Sequence, residues 1–267
     1  ENMMSGKVVV ENNAGSCFGA ALRGGDLIVK GNAGARTGID EVKLFISCND
    51  HDTLLLFSDR GVAYALPAYR VPLSSRTAKG TPSVQLLPIP REEQITSLLS
   101  VESFENDYYL LMLTKGGFIK RTPLSAFSKI RSNGLIAISL EEGDALTWVR
   151  SSSEGDSVLI GSSRGMTIHF RLDMNELRPL GRTARGVKSM NLRDGDQLVS
   201  MDVLTSELVE QLSTLNENDI NANDDLEDNL PEGPWVLVVS SFGLGKRVPV
   251  TQFRLQKRAG MGLKAIK

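Results

Sequence analysis

Four times along the chain a short apolar run stops at a polar turn ending in glycine, and a second short run begins. The copies read DTLLLFSDRGVAYAL from Asp52, DYYLLMLTKGGFIKR from Asp107, DSVLIGSSRGMTIHF from Asp156 and GPWVLVVSSFGLGKR from Gly233. Their turn glycines, Gly61, Gly117, Gly165 and Gly243, lie 56, 48 and 78 residues apart, the last interval falling to 51 once residues 206–232 are set aside. Each copy runs on to a loop of basic residues and glycine: RTAKG (76–80), RSNG (131–134), RTARG (182–186) and RAGMG (258–262). Two copies continue into a turn and a further apolar run, LEEGDAL (140–146) and LRDGDQL (192–198). Runs this short, rich in Val, Ile, Leu, Phe and Tyr and closed by Gly, Asp, Asn or Ser, are strand-and-hairpin chemistry. A unit of about 50 residues with roughly four strands predicts an all-β fold of propeller-like blades. One such blade buries only part of its sheet and depends on its neighbours for the rest.

Charge is unevenly distributed. Residues 206–232 carry nine acids (Glu207, Glu210, Glu217, Asp219, Asp224, Asp225, Glu227, Asp228, Glu232) and no Lys or Arg, so the formal net charge of −2 hides +7 on everything else. A polar acidic run of this kind lacks the apolar surface to order itself and reads as a mobile insertion, able to mask a basic surface within the same chain. The basic remainder points to a polyanionic partner. No apolar run approaches the roughly 18 residues a membrane span requires. Cys17 and Cys48 form no metal or disulfide pattern, which suits a reducing compartment.

The first 40 residues follow another rule. NAGSCFG (13–19) and NAGARTG (32–38) recur at a period of 19, separated by RGGDLIVKG, and predict two coils of a Gly-rich parallel β-solenoid. This piece resembles the Gly-rich β-helical repeats of glutamate synthase and formylmethanofuran dehydrogenase subunits. The expected division is thus a solenoid-like segment over 1–40, either a graft or a diverged first blade, and a blade domain over 41–267 that carries the acidic insertion at 206–232.

Residues 41–267 resemble the C-terminal domain of the DNA gyrase A subunit family. The likeness rests on LFISCNDHDTLLLFSDRGVAYALPAYRVPLSSRTAKGTPSVQLLPI, LLMLTKGGFIKRTPLSAFSKIRSNGLIAISLEEGDAL, GSSRGMTIHF, GRTARGVKSMNLRDGDQLVSMDV and VVSSFGLGKRVPVTQF. It implies a β-pinwheel of six four-stranded blades that wraps DNA on a basic rim, with the four repeats standing as the second to fifth blades. It further implies double-stranded DNA bound without sequence choice, the gyrase B subunit and the remainder of the gyrase A subunit as partners, and no membrane. The ATP and Mg²⁺ of such an assembly belong to its other parts, and DNA cleavage to a domain upstream, so this chain has no cofactor and no catalytic residue of its own. The acidic insertion and the LLMLT…FSKIRS wording resemble plant and algal organellar versions, implying a plastid or mitochondrion, with the bacterial cytoplasm as the alternative. One departure stands out. The family's diagnostic box, Gln-basic-Arg-Gly-Gly-basic-Gly, is absent from the region before the first repeat; QKRAGMG (256–262) has its outline, with Ala259 and Met261 at box positions.

Wrapping needs cationic points repeated along a curved surface. Phosphate contacts set register and affinity without reading sequence, and bending a 20–30 bp site by 40–90° costs roughly 1–6 kcal/mol, so several loops must act together. Arg beside Gly suits this, because glycine lets the backbone approach and the guanidinium forks onto phosphate oxygens. The candidates in the loops are Arg76, Lys79, Arg131, Arg182, Arg185, Lys188, Lys257 and Arg258. A second set follows the hairpin turn, Lys120, Arg121, Lys246 and Arg247, in a column where other copies carry Ala65 and His169. His169 reads as a strand-surface residue, and two isolated His with these Cys make no metal site. The glycines of KGGFIKR and GLGKR lack the strand–GxxxxGK–helix context of a nucleotide loop. Two other readings use the same loops: solvated turns of a protein-interaction propeller, and the tail of a topoisomerase IV subunit.

Overall fold

The computed structural model describes residues 7–10, 26–29, 44–75, 78, 80–105, 107–210, 234–241 and 243–265. At the N-terminus β1 (Lys7–Val10) and β2 (Asp26–Val29) pair in parallel with Lys7 opposite Asp26, one 19-residue period apart. The rest of the Gly-rich segment, residues 211–233 of the acidic run, Arg76 and Lys79 lie outside the described residues. The run's opening residues, 206–210, are helical, and Val209 is buried.

Each repeat opens with an antiparallel hairpin. In the first it is β3 (Thr53–Ser58) with β4 (Val62–Pro67), followed by β5 (Ile95–Val101) on the far side of β3. The second has β6 (Tyr109–Thr114), β7 (Phe118–Pro123), the two-residue β8 (Leu135–Ile136) and β9 (Leu146–Ser152). In the third are β10 (Ser157–Ser162), β11 (Met166–Arg171), β12 (Val187–Lys188) and β13 (Leu198–Leu204). The fourth supplies β14 (Trp235–Val239), β15 (Gly245–Pro249) and β16 (Leu263–Lys264).

The hairpin turn has one recurring cause. Three positions before each turn glycine stands a hydroxyl: Ser58, Thr114, Ser162 or Ser240. That side chain accepts the amide of the first residue after the glycine (Val62, Phe118, Met166 and Leu244, at 3.1–3.3 Å), while its carbonyl accepts the glycine amide at 3.0 Å. The turn thus satisfies its own polar groups. In the three complete sheets the ladder to the edge strand (β5, β9 or β13) shifts register at this residue.

The fourth strand of each blade comes from the next repeat. Sheet orders are β5-β3-β4-β8, β9-β6-β7-β12 and β13-β10-β11-β16, with β14-β15 left as a two-stranded sheet. Sequence reading places four strands within one unit; the chain instead makes three and hands its basic loop, with the residues after it, to the preceding blade. Gly186 allows the crossing: it sits at φ +99, and a Cβ there would lie 2.6 Å from the Ile119 carbonyl oxygen. Gly134 and Gly262 are equally tight against β4 and β11. The first repeat departs from the pattern. After Gly80 come Pro82, which has no amide to give a ladder, and a short helix α1 (Ser83–Leu86); Leu87 and Ile89 then cover Tyr64 and Leu66.

The sheets stack face on face. Leu55, Phe57 and Ala63 of the first blade pack with Leu110, Met112, Leu146 and Val149 of the second. The opposite face of the second, Leu111, Leu113 and Ile119, packs with Val158, Ile160, Ile168 and Phe170 of the third. A blade sandwiched on both sides is apolar on both faces, which is why β6 is buried from Leu110 through Thr114. β14, covered on one side only, leaves Leu237 and Val239 exposed.

One backbone position carries strain. Among the described residues Ala259 is the non-glycine residue at positive φ (+61), held by its amide bonding the Ser189 carbonyl at 2.8 Å. Such a conformation costs a non-glycine residue about 1–3 kcal/mol, against about 0.4–1 kcal/mol of unfolded-state entropy that glycine adds. Ala259→Gly should therefore raise stability by roughly 0.5–1 kcal/mol, read as a higher urea midpoint; a lower midpoint would overturn the strain assignment.

Candidate nucleic-acid interface

The strand exchange decides where the basic loops lie. Loop 131–134 of the second repeat seats against β4 of the first blade, loop 182–186 against β7 of the second, and loop 258–262 against β11 of the third. Consecutive loops adjoin, with Ser139 Oγ donating to the Thr183 carbonyl at 2.7 Å.

Between two of them runs an open groove of about 640 Å³, lined by Lys129, Arg131, Asn133, Arg182 and Thr183 together with Ile130, Gly134, Leu135 and Ile136. Three cations and no carboxylate face it. Arg131 and Lys129 are exposed and Arg182 half-buried. Sequence reading misses Lys129, which stands two residues ahead of RSNG; only the loop crossing brings it beside Arg182.

The other loop cations are more occupied. Arg185 is exposed but pairs with Glu141 and stacks over the Phe118 ring at 4.5 Å. Lys188 donates to Asn191 Oδ1 at 2.8 Å and Lys257 is exposed. Arg258 ties two loops together: its Nε donates to the Glu176 carbonyl at 2.9 Å and its Nη1 to the Lys188 carbonyl at 2.7 Å. Its amide donates to Glu176 Oε2 at 3.0 Å.

The column after the hairpin turn is a correction. Lys120 and Arg121 are fully buried, so neither presents its side chain to solvent. Arg121 points into the seam between second and third blades. Its Nε donates to the Leu177 carbonyl, and its Nη1 to the Leu172 carbonyl at 2.9 Å and to Glu154 Oε2 at 2.7 Å, with the guanidinium 4.7 Å from the Tyr109 ring centre. His169 is buried too, not a surface residue. Its Nδ1 bonds the Phe253 carbonyl at 2.6 Å and its Nε2 the Ser157 hydroxyl at 2.8 Å. Burial depresses its pKa, with Arg171 adding to the effect and the Phe253 bond opposing it. Arg121 and His169 therefore do one job, each clamping the loop of the following repeat. In the fourth repeat, whose outer face lacks a described neighbour, Lys246 and Arg247 are exposed and Arg247 stacks on Trp235 at 4.9 Å.

Among the described residues no group of three or more His, Cys, Asp or Glu could hold a metal ion, and no helix is long and apolar enough to cross a membrane.

The family model described as DNA gyrase C-terminal domain, beta-propeller, matches residues 52–102, 108–153, 156–205 and 234–267, one segment for each repeat. The chain belongs to the DNA gyrase C-terminal domain family. Among relatives, the DNA gyrase A subunit of Synechocystis is 55% identical over 259 residues, an alignment covering 94% of this chain and 30% of that protein. The chloroplastic/mitochondrial gyrase A subunit of Nicotiana benthamiana is 42% identical, covering 84% of this chain and 23% of the relative. The chain thus spans less than a third of the gyrase A subunits it matches. Among solved structures, the C-terminal domain of DNA topoisomerase IV aligns with a TM-score of 0.64 at 25% identity, covering 80% of this chain and 58% of that one. A DNA gyrase A C-terminal domain aligns with a TM-score of 0.59 at 25% identity, covering 80% and 60%. These are β-pinwheel relatives, so the propeller-like reading of the repeat holds, with the fourth strand exchanged between blades.

Proposed function

We propose that this chain is a non-catalytic module that binds and bends double-stranded DNA as part of a gyrase A-type protein, and so supports ATP-dependent supercoiling by the assembly. The observation that carries the proposal is the groove between consecutive loops, with Lys129, Arg131 and Arg182 and no carboxylate. A row of such loops, brought to one edge by strand exchange, offers repeated cationic contacts to a phosphate backbone, which set register and affinity without reading sequence. The partners are double-stranded DNA, the gyrase B subunit, plus the rest of the gyrase A polypeptide, with ATP and Mg²⁺ held elsewhere in that assembly. The gyrase A names of its sequence relatives favour this over a topoisomerase IV tail. Relatives from a cyanobacterium and from plant organelles support a plastid-type or cyanobacterial setting.

Arg185 and Arg258 contribute less to this surface than their loops suggest, because Glu141 and the Glu176 and Lys188 carbonyls already hold them. Arg131, Arg182, Lys188, Lys257, Lys246 and Arg247 remain the contact candidates, with Lys129 added. Arg76 and Lys79 join them by their place in the first loop.

The test is anisotropy titration of two labelled duplexes of unrelated sequence at several salt concentrations. Equal affinities are expected, weakening by about 0.9 log units per log unit of salt for each phosphate neutralised. No binding to either duplex at low salt would refute the proposal.

A further inference from the structure

Beneath the loop that borders the groove lies a charge without a counter-ion. Lys120 is fully buried, and its Nζ donates to the Arg182 carbonyl at 2.6 Å and the Gly181 carbonyl at 3.0 Å. No carboxylate pairs with it among the described residues. Of the charged groups around it, Arg182 belongs to the loop it grips, and Lys129 and Arg131 line the same groove. Arg185 is committed to Glu141. Lys188, on the neighbouring β12, bonds Asn191. Arg121, next along β7, occupies the seam with the third blade together with Glu154. Across the sheet Lys120 faces Met112.

The same station in the flanking blades shows that the fold does not need this charge. There Tyr64 lies under Gly134, with its hydroxyl donating to Glu93 at 2.9 Å, and Ile168 lies under Gly260 as part of the apolar core. Both support a crossing loop of the same geometry without a cation. An ammonium taken out of water and given only carbonyl dipoles is costly, and is relieved by an anion brought close. Arg182, whose guanidinium has no hydrogen-bond or ion-pair partner among the described residues, is where such an anion would arrive.

We propose that loop 181–186 is a phosphate seat in which a DNA phosphodiester supplies the counter-ion Lys120 lacks, so that DNA binding takes up a proton at Lys120 Nζ. The inference rests on the DNA-binding reading above. Its chemistry is simple: the proton comes from solvent, and no bond other than N–H is made. Burial, and then the neighbouring Arg182 charge, push the Lys120 pKa down to about 7, so near neutral pH the free protein holds this site partly unprotonated. A phosphate at the seat raises that value. Affinity is then highest below the free-state pKa, falls as pH rises through it, and levels off above the DNA-bound value. A rise of one pKa unit on binding gives a tenfold loss of affinity across the window.

The experiment uses the full chain, one labelled duplex and constant ionic strength from about pH 6 to pH 9, which brackets the Lys120 value. The wild type should lose about tenfold in affinity across that range. Its binding heat, measured in two buffers of different ionisation enthalpy, should show net proton uptake near pH 7.5, about half a unit above the free value. Lys120→Met should give a flat profile that meets the wild type at the alkaline end. Two results overturn the inference: a wild type that binds DNA without pH dependence or proton uptake, or a Lys120→Met protein that keeps the wild-type profile. If the variant does not fold, the wild-type proton count decides alone. Burial lowers the His169 pKa from its ordinary value, away from the alkaline limb, and His169→Gln should leave that limb in place. Absence of DNA binding at every pH would overturn the DNA reading itself, which distinguishes the two failures.

Discussion

Arg121→Ala is expected to cost the fold about 3–5 kcal/mol, the range for removing one partner of a buried charged network. The change empties a site in the seam between second and third blades and leaves the Leu172 and Leu177 carbonyls without their donors. Glu154 loses its ion pair, but its half-exposed carboxylate returns to water and adds little. The orphaned carbonyls and the cavity carry the penalty. Arg121→Lys should recover only part of it, since a single ammonium cannot span two carbonyls and a carboxylate that a planar fork reaches together. The measurement is the urea midpoint of each variant, with DNA affinity determined under folding conditions. A loss below about 1 kcal/mol combined with a marked fall in DNA affinity would return Arg121 to the list of phosphate contacts and overturn its assignment as a strut.

That reversal of role shows where the sequence is legible and where it stops. The repeat, the hairpins and the blade architecture follow from local pattern: four apolar runs, four turn glycines, four hydroxyls three positions ahead of them. The Ser/Thr-x-x-Gly signal is present in every copy and could have fixed the turn chemistry from sequence alone. Strand exchange is not visible, because β8, β12 and β16 are two residues each and their partners lie in another repeat. Once the basic loop of one unit belongs to the sheet of another, side-chain direction is reassigned. Lys120 and Arg121 follow the turn in KGGFIKR and look like a surface pair, yet they lie on opposite faces of their strand and both are covered. Lys129 and Arg182 are 53 positions apart and line one groove. Periodicity gives the face of a strand; it does not say which neighbour covers that face.

Exchange also ties the proposed DNA contacts to the seams between blades. The two later seams are each closed by a crossing loop and by a clamp from the hairpin column, Arg121 to the Leu177 carbonyl and His169 to the Phe253 carbonyl, whereas the first blade has Ala65 in that column. The loops that offer cations outward are thus the ones that lock sheet to sheet inward. Bending DNA by several tens of degrees costs a few kcal/mol, and a row of separately hinged loops would yield before the DNA did. Loops fixed at both ends by neighbouring blades hold their spacing.

The groove makes the strongest prediction for function. Replacing Lys129, Arg131 and Arg182 together with Glu should remove three phosphate contacts, and the salt slope of log affinity should fall by nearly three units. At about 0.1 M salt each contact corresponds to a factor of about 8, so three correspond to about 500-fold, with repulsion from the new carboxylates added. None of the three side chains is buried, so the urea midpoint should stay within about 0.5 kcal/mol equivalent of the wild type for each substitution. With these three cations on phosphates, the loss should be the same on duplexes of unrelated sequence, because phosphate contacts carry no sequence information. Under tenfold loss with an unchanged slope would move the DNA path off this groove and onto the Lys246 and Arg247 end of the molecule. A loss confined to one sequence would reject backbone contact as the mode of recognition, whatever its size.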